Sequence, residues 1–179
     1  MLLTGLLPDI STDPAIETAT DSIEAGRSGT IVAPVGIRPP LLAAAASRAA
    51  RPLVVLTATG RDAETLTNAL ASWIPGVAML PAWETLPHER LSPQVDTMAR
   101  RIAVLRRLVH PIAGDDSAGP LSILVVPIRA FLQPIIAGLA DLEPVRVRTG
   151  DVLDLTETTN RLAELGYERV DMVEGRGQM

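Results

Sequence analysis

Apolar residues recur along this chain in two periods, one helical and one strand-like, and the two alternate. Ile16, Ala19 and Ile23 share a helical face behind Asp13-Pro14, which reads as an N-cap followed by proline at the first helical position. Gly26 and Ser28-Gly29 close that segment. Residues 30–33 are a short apolar run, predicting a buried strand. The loop Pro34-Val35-Gly36-Ile37-Arg38-Pro39-Pro40 then leads into an alanine-rich helix over 41–50. Residues 53–57 predict a second strand. Thr59 stands three residues ahead of Asp62, a capping-box-like start to a helix that buries Ala63, Leu66, Leu70 and Trp73 and stops at Pro75-Gly76. A third strand is expected over 77–80.

Pro93 precedes a helix with Val95, Met98, Ile102, Leu105 and Val109 at three- and four-residue steps. Arg100, Arg101, Arg106 and Arg107 cluster on its other side. After a polar loop over 114–120, residues 121–126 predict the fourth and most apolar strand, and a helix from Ile128 is limited by Pro134. Nearly all-apolar strands separated by helices argue an α/β fold, a parallel sheet with helices on both faces. From Glu143 the texture changes. Val145 and Val147 alternate with Arg146 and Arg148, a helix over 156–165 ends at Gly166 as its left-handed cap, and residues 167–173 alternate again. These few apolar residues predict the start of a small α+β domain, so the sequence is expected to be a fragment.

Composition sharpens this picture. The chain has 179 residues, 47% of them hydrophobic and 21% charged, which is globular composition and not disorder. Only 2% are aromatic, so the core must be aliphatic. The net charge of -5 advertises no global affinity for nucleic acid. There is no cysteine, which excludes disulfides and thiolate zinc sites. All 16 basic residues are arginine, which excludes a phosphate-loop lysine or a Schiff base. No apolar run reaches the roughly 20 residues a membrane span needs, and a cytoplasmic location is expected.

Candidate chemistry is sparse. A phosphate loop would lie at 33–40, where backbone N–H groups must approach the ligand and Lys and Ser/Thr complete the site. Here Pro34, Gly36, Arg38 and Pro39 give one glycine, no lysine and prolines that subtract donors. The loop reads as degenerate, and no bound cofactor is expected. His88 and His110 lack ligand-spaced partners, and Asp115-Asp116 reads as a solvated acidic turn, so no metal is expected. No Gly-x-Ser-x-Gly elbow is present. Glu84 and Glu89 read as loop charges, and no catalytic residue is assigned. The arginines after Gln94 form a solvated helix face, or a surface for phosphate or an acidic protein, with no interleaved aromatics to stack bases.

The most individual stretch is Trp83-Glu84-Thr85-Leu86-Pro87-His88-Glu89-Arg90-Leu91-Ser92-Pro93, read here as a stiff crossing anchored by Trp83 and Leu86. Continuing to Asp96, it resembles the N-terminal region of the bacterial transcription-repair coupling factor (Mfd) family. The runs 54–61, 123–127 and 165–171 follow in that family's order, and the resemblance covers about residues 30 to 179. It implies a module similar to the excision-repair protein UvrB. Residues 1–28 would be an N-terminal helical segment. Residues 29–142 would form a degenerate RecA-like domain (UvrB domain 1a-like), and 143–179 the truncated beginning of an inserted UvrA-docking domain (UvrB domain 2-like). The resemblance implies UvrA as partner, with the main contact residues mostly after Gly177. It also implies the rest of the factor with its ATP-driven DNA-translocating motor as a partner, and RNA polymerase and DNA only through the full-length protein. Signature or partner-surface residues would be Trp83, Glu84, Pro87, Glu89, Arg90, Pro93, Arg100, Arg101, Tyr167 and Arg169. The alternative from strand–helix alternation alone is the ATP-binding half of a helicase-like ATPase.

Overall fold

Three of the predicted apolar runs pair side by side in the computed structural model, which describes residues 2–84, 94–174 and 177–179. They are β1 (Leu53–Thr57), β2 (Val77–Met79) and β3 (Ile123–Pro127), all parallel, in the order β1-β3-β2. Every residue of the central strand β3 is buried, as a strand covered on both faces requires.

Two cores result. On one face Ile123 and Val125 join Leu53, Val55, Val77 and Met79 under α1 (Leu7–Ser11), α3 (Arg38–Arg48) and α4 (Gly60–Ala71), through Leu7, Ala43, Ala46, Ala63 and Leu70. On the other, Leu124, Val126, Ala78 and Leu80 pack under α5 (Val95–Val109) and α6 (Ile128–Phe131), through Val104, Leu105 and Ala130. The chain is thus α/β with helices on both faces of a parallel sheet. The cover over β1 is incomplete on the α5 side, where Val54 and Leu56 remain 56% and 47% exposed.

Local signals worked where the causes are local. Asp13 accepts hydrogen bonds from the N–H groups of Ala15 and Ile16 and starts α2 (Pro14–Glu24). Arg48 in the last turn of α3 ties α2 down, reaching Asp21 at 2.6 Å, Glu24 at 2.7 Å and the buried Thr20 hydroxyl at 2.9 Å. Thr59 accepts from Asp62 N–H and caps α4. Past the end of α4, Gly76 has φ +74°, and a Cβ there would sit 2.9 Å from the Pro120 carbonyl oxygen, so both conformation and space require glycine. Gly166 (φ +87°) ends α7 (Leu155–Glu164) as expected, with Gly166 N–H donating to Ala163 and Tyr167 N–H to Leu162.

Three strand expectations fail. Residues 30–33 are not a strand: Ile31 and Val32 are 51% and 95% exposed, and no strand among the described residues lies beside them. An apolar run of four residues has no ladder to join without a neighbour. Residues 145–148 are irregular, with Val147 exposed, because nothing buries one of their faces. In 167–173 the pairing reduces to one bridge, Glu168 with Gln178, where Glu168 N–H donates to Gly177 at 2.8 Å. The second and third overreach for the same reason: alternation predicts which face would be buried, not that a partner exists.

Candidate functional site

A phosphate loop would lie at 33–40, leading into α3. Residues Val35–Ile37 form a single 3₁₀ turn and α3 follows at once. Ile37 N–H donates to Pro34 and Arg38 N–H to Val35, both inside the turn. Pro39 and Pro40 have no N–H to give. Four of the five positions 36–40 therefore offer no backbone donor to a ligand. Gly36 has no positive φ, and a Cβ there would meet nothing within 4 Å, so this glycine is not held for close approach of another group. Pro34, Gly36 and Arg38 are exposed and Pro39 is half-buried. The turn is closed on itself and leaves few backbone donors for an anion.

A polar constellation lies where β2 leads toward α5. Gln133 grips the backbone of Trp83 at both ends, accepting from its N–H at 2.8 Å and donating to its carbonyl at 3.3 Å. Arg129 donates to the Glu84 carbonyl at 3.2 Å. The Glu84 carboxylate accepts a hydrogen bond from the buried Thr97 hydroxyl. Thr97 is the first reason that carboxyl is held below its ordinary value; the N–H groups of Glu84 and Gln94 and the Arg129 charge add to it, against partial desolvation. A carboxylate at the start of α5 also suits the positive end of the helix dipole. Glu84 thus caps α5 from outside the helix.

Beneath it lies Arg101, fully buried. Its guanidinium carbon stands 4.4 Å from the centroid of the Trp83 ring, and Nη1 donates to the Pro81 carbonyl at 2.6 Å. Nε and Nη2 find no acceptor among the described residues. Burial pushes the Arg101 pKa down from its ordinary value. The expected solvated arginine face is corrected here. Arg101 is core, Arg107 donates to the Gly119 carbonyl at 2.8 Å, and the Arg106 side chain is only 16% exposed. Of the four, Arg100 projects outward, pairing with Asp96 at 2.8 Å. The helix is flanked on its polar side by residues 81–84 at one end and by 111–119 and 139–143 at the other, contacts that no helical periodicity reveals.

Of the remaining signature residues, Leu86, Pro87, His88, Glu89, Arg90 and Pro93 lie outside the described residues. Tyr167 (41% exposed) and Arg169 (exposed) sit beside the bridge at Glu168, in the tail. His110 ends α5 and meets Asp141 at 2.7 Å, and Asp115 closes its own turn through Ser117 and Ala118. No group of three or more His, Asp or Glu among the described residues is placed to hold a metal. None of their helices is long and apolar enough to cross a membrane. Sequence reasoning missed Thr97, Arg129 and Gln133, the residues that fix Trp83 and Glu84. The one available signal was Gln133 itself, a lone amide in the otherwise apolar run 130–136.

No family model matches the chain. Individual proteins do. A transcription-repair-coupling factor of Mycobacterium bovis is 46% identical over 152 residues, which cover 83% of this chain and 12% of that protein. The factor of Mycobacterium tuberculosis matches to the same extent. That of Escherichia coli is 26% identical over 140 residues, 77% of this chain. The chain therefore spans 12% of the length of the curated relatives it matches. The clamped Trp83-Glu84 crossing and the parallel sheet belong to a chain of the transcription-repair-coupling factor family.

Proposed function

We propose that this chain is a non-catalytic interaction module of a transcription-coupled DNA repair factor, one that helps recruit the excision-repair protein UvrA to stalled RNA polymerase. The observation that carries the non-catalytic part is the 3₁₀ turn at Val35–Ile37, which consumes the Ile37 and Arg38 N–H groups just before two prolines. The family relationship supports the repair role, with polymerase and DNA reached through the rest of the factor. The proposed organisation is a helical segment over 1–28, a degenerate RecA-like unit over 29–142 and the beginning of a UvrA-docking unit from 143. It is supported by burial, since no described residue from Asp141 onward is buried. The docking function is tested by co-precipitation with UvrA, using this chain and a version extended past Met179. Retention of UvrA by the extended form supports the reading; its failure to retain UvrA overturns it.

A further inference from the structure

The chain after 140 is attached to the rest in an unusual way. Leu139 and Ala140 still pack on the α5-side core. From Asp141 onward every described residue is exposed or half-buried. What holds the chain there is polar. Asp141 meets His110 at 2.7 Å, the Leu142 carbonyl accepts from Arg106 at 3.1 Å, Glu143 lies 3.8 Å from Arg106, and Arg146 reaches Asp115 at 3.3 Å. Leu142 itself is 43% exposed, and Pro144 follows. Further on, α7 buries no residue. The tail returns to α5 at Gly177, where a Cβ would lie 3.5 Å from Val95 Cγ1.

We propose that residues 141–146 form an electrostatic clasp on the C-terminal end of α5 and the 111–119 turn. Opening it, together with the Gly177 contact on Val95, swings the segment from 143 about Leu142 while the sheet stays intact. The two halves of the clasp are unlike. Asp115 is fixed by accepting from Ser117 and Ala118, so it presents a rigid carboxylate to Arg146. Arg106 is nearly buried and points one N–H at the Leu142 carbonyl, so it presents a rigid cation to Glu143. The moving partners, Glu143 (73% exposed) and Arg146 (39% exposed), carry opposite charges matched to those two anchors. Exposed ion pairs are individually weak and are screened by salt, whereas the apolar sheet core is not. The segment therefore opens at a lower cost than the sheet does, as a separate unit.

The chain has no native cysteine, so a donor and acceptor dye pair can be placed uniquely by Glu64→Cys on α4 and Asn160→Cys on α7. Single-molecule energy transfer is read at about 0.01 M and about 1 M salt, where the Debye length is about 30 Å and about 3 Å. One narrow population is expected at low salt, and a shift of most molecules to a broad, lower-transfer population at high salt. Arg146→Glu should produce the broad population already at low salt, and Arg146→Lys should retain the narrow one. A control pair at Glu17→Cys and Glu64→Cys should not move in any condition. The same transfer at both salts on the otherwise unchanged chain overturns the proposal, as does a broad population at low salt.

Discussion

Arg101 is the residue whose replacement tests the physical account of the Trp83 crossing. Its favourable contacts are one charge-assisted hydrogen bond to the Pro81 carbonyl, worth about 2 kcal/mol, and the stacked Trp83 ring, worth about 1–2 kcal/mol when desolvated. Against these stands the cost of a fully buried cation with two nitrogens that find no acceptor among the described residues, of several kcal/mol. The terms nearly cancel, so the side chain's volume should matter more than its charge. Arg101→Met keeps the volume and removes the charge, and its stability should lie within about 1 kcal/mol of the parent. The Pro81 carbonyl loses its donor in both variants, but Arg101→Ala leaves a cavity as well and should cost about 3 kcal/mol. In thermal unfolding that is a fall of roughly 6–12 °C for Ala and little for Met. Urea unfolding followed by tryptophan fluorescence, in a Trp73→Phe background so that Trp83 alone reports, checks both. If Met costs as much as Ala, the cation itself holds the crossing and the reasoning is refuted; it is refuted equally if Ala costs nothing.

Three further outcomes follow from the same geometry. Asp115 is held at about 2, below its ordinary value, first by the Ser117 hydroxyl and then by the Ala118 and Ser117 N–H groups. A depressed carboxyl stabilises the fold above its unfolded value, so the turn's contribution is intact above about pH 4 and is lost as pH falls through about 2. The Ser117 and Ala118 amide shifts should follow that titration, and Asp115→Asn should flatten them. Thr97→Val removes the donor most responsible for lowering Glu84, so the Glu84 carboxyl should titrate at higher pH by carbon NMR, with a stability loss of about 1 kcal/mol in urea. Gly76→Ala must combine φ +74° with a Cβ 2.9 Å from a backbone oxygen, and should lower stability by about 2–3 kcal/mol in the same assay.

What the sequence made legible follows from the range of the cause. Asp13, Thr59 and Gly166 act within four residues of themselves or through φ alone, and each did what its type and position predict. Strands 53–57 and 123–127 were legible because all-apolar runs have few alternatives in a covered sheet. Residues 30–33 have the same texture and failed, since a strand also needs a neighbour and sequence does not supply one. The arginines of α5 failed differently. Periodicity separates one helix face from another but does not say that residues 81–84 will come down on the second face. The clamp on Trp83 was invisible for that reason: Thr97, Arg129 and Gln133 are 13 to 50 residues from their partners. The scarcity of backbone donors over 37–40 of the loop was legible from composition in part, because Pro39 and Pro40 have no N–H whatever the fold.

That loop is also where the central claim is most exposed. Calorimetric titration of the chain with ATP and Mg²⁺ asks directly whether the turn at Val35–Ile37 and the prolines after it hold a nucleotide. The account predicts no saturable heat up to millimolar ligand, unchanged by Arg38→Ala. Saturable micromolar binding that Arg38→Ala abolishes would contradict it and make this chain the nucleotide-binding half of a motor.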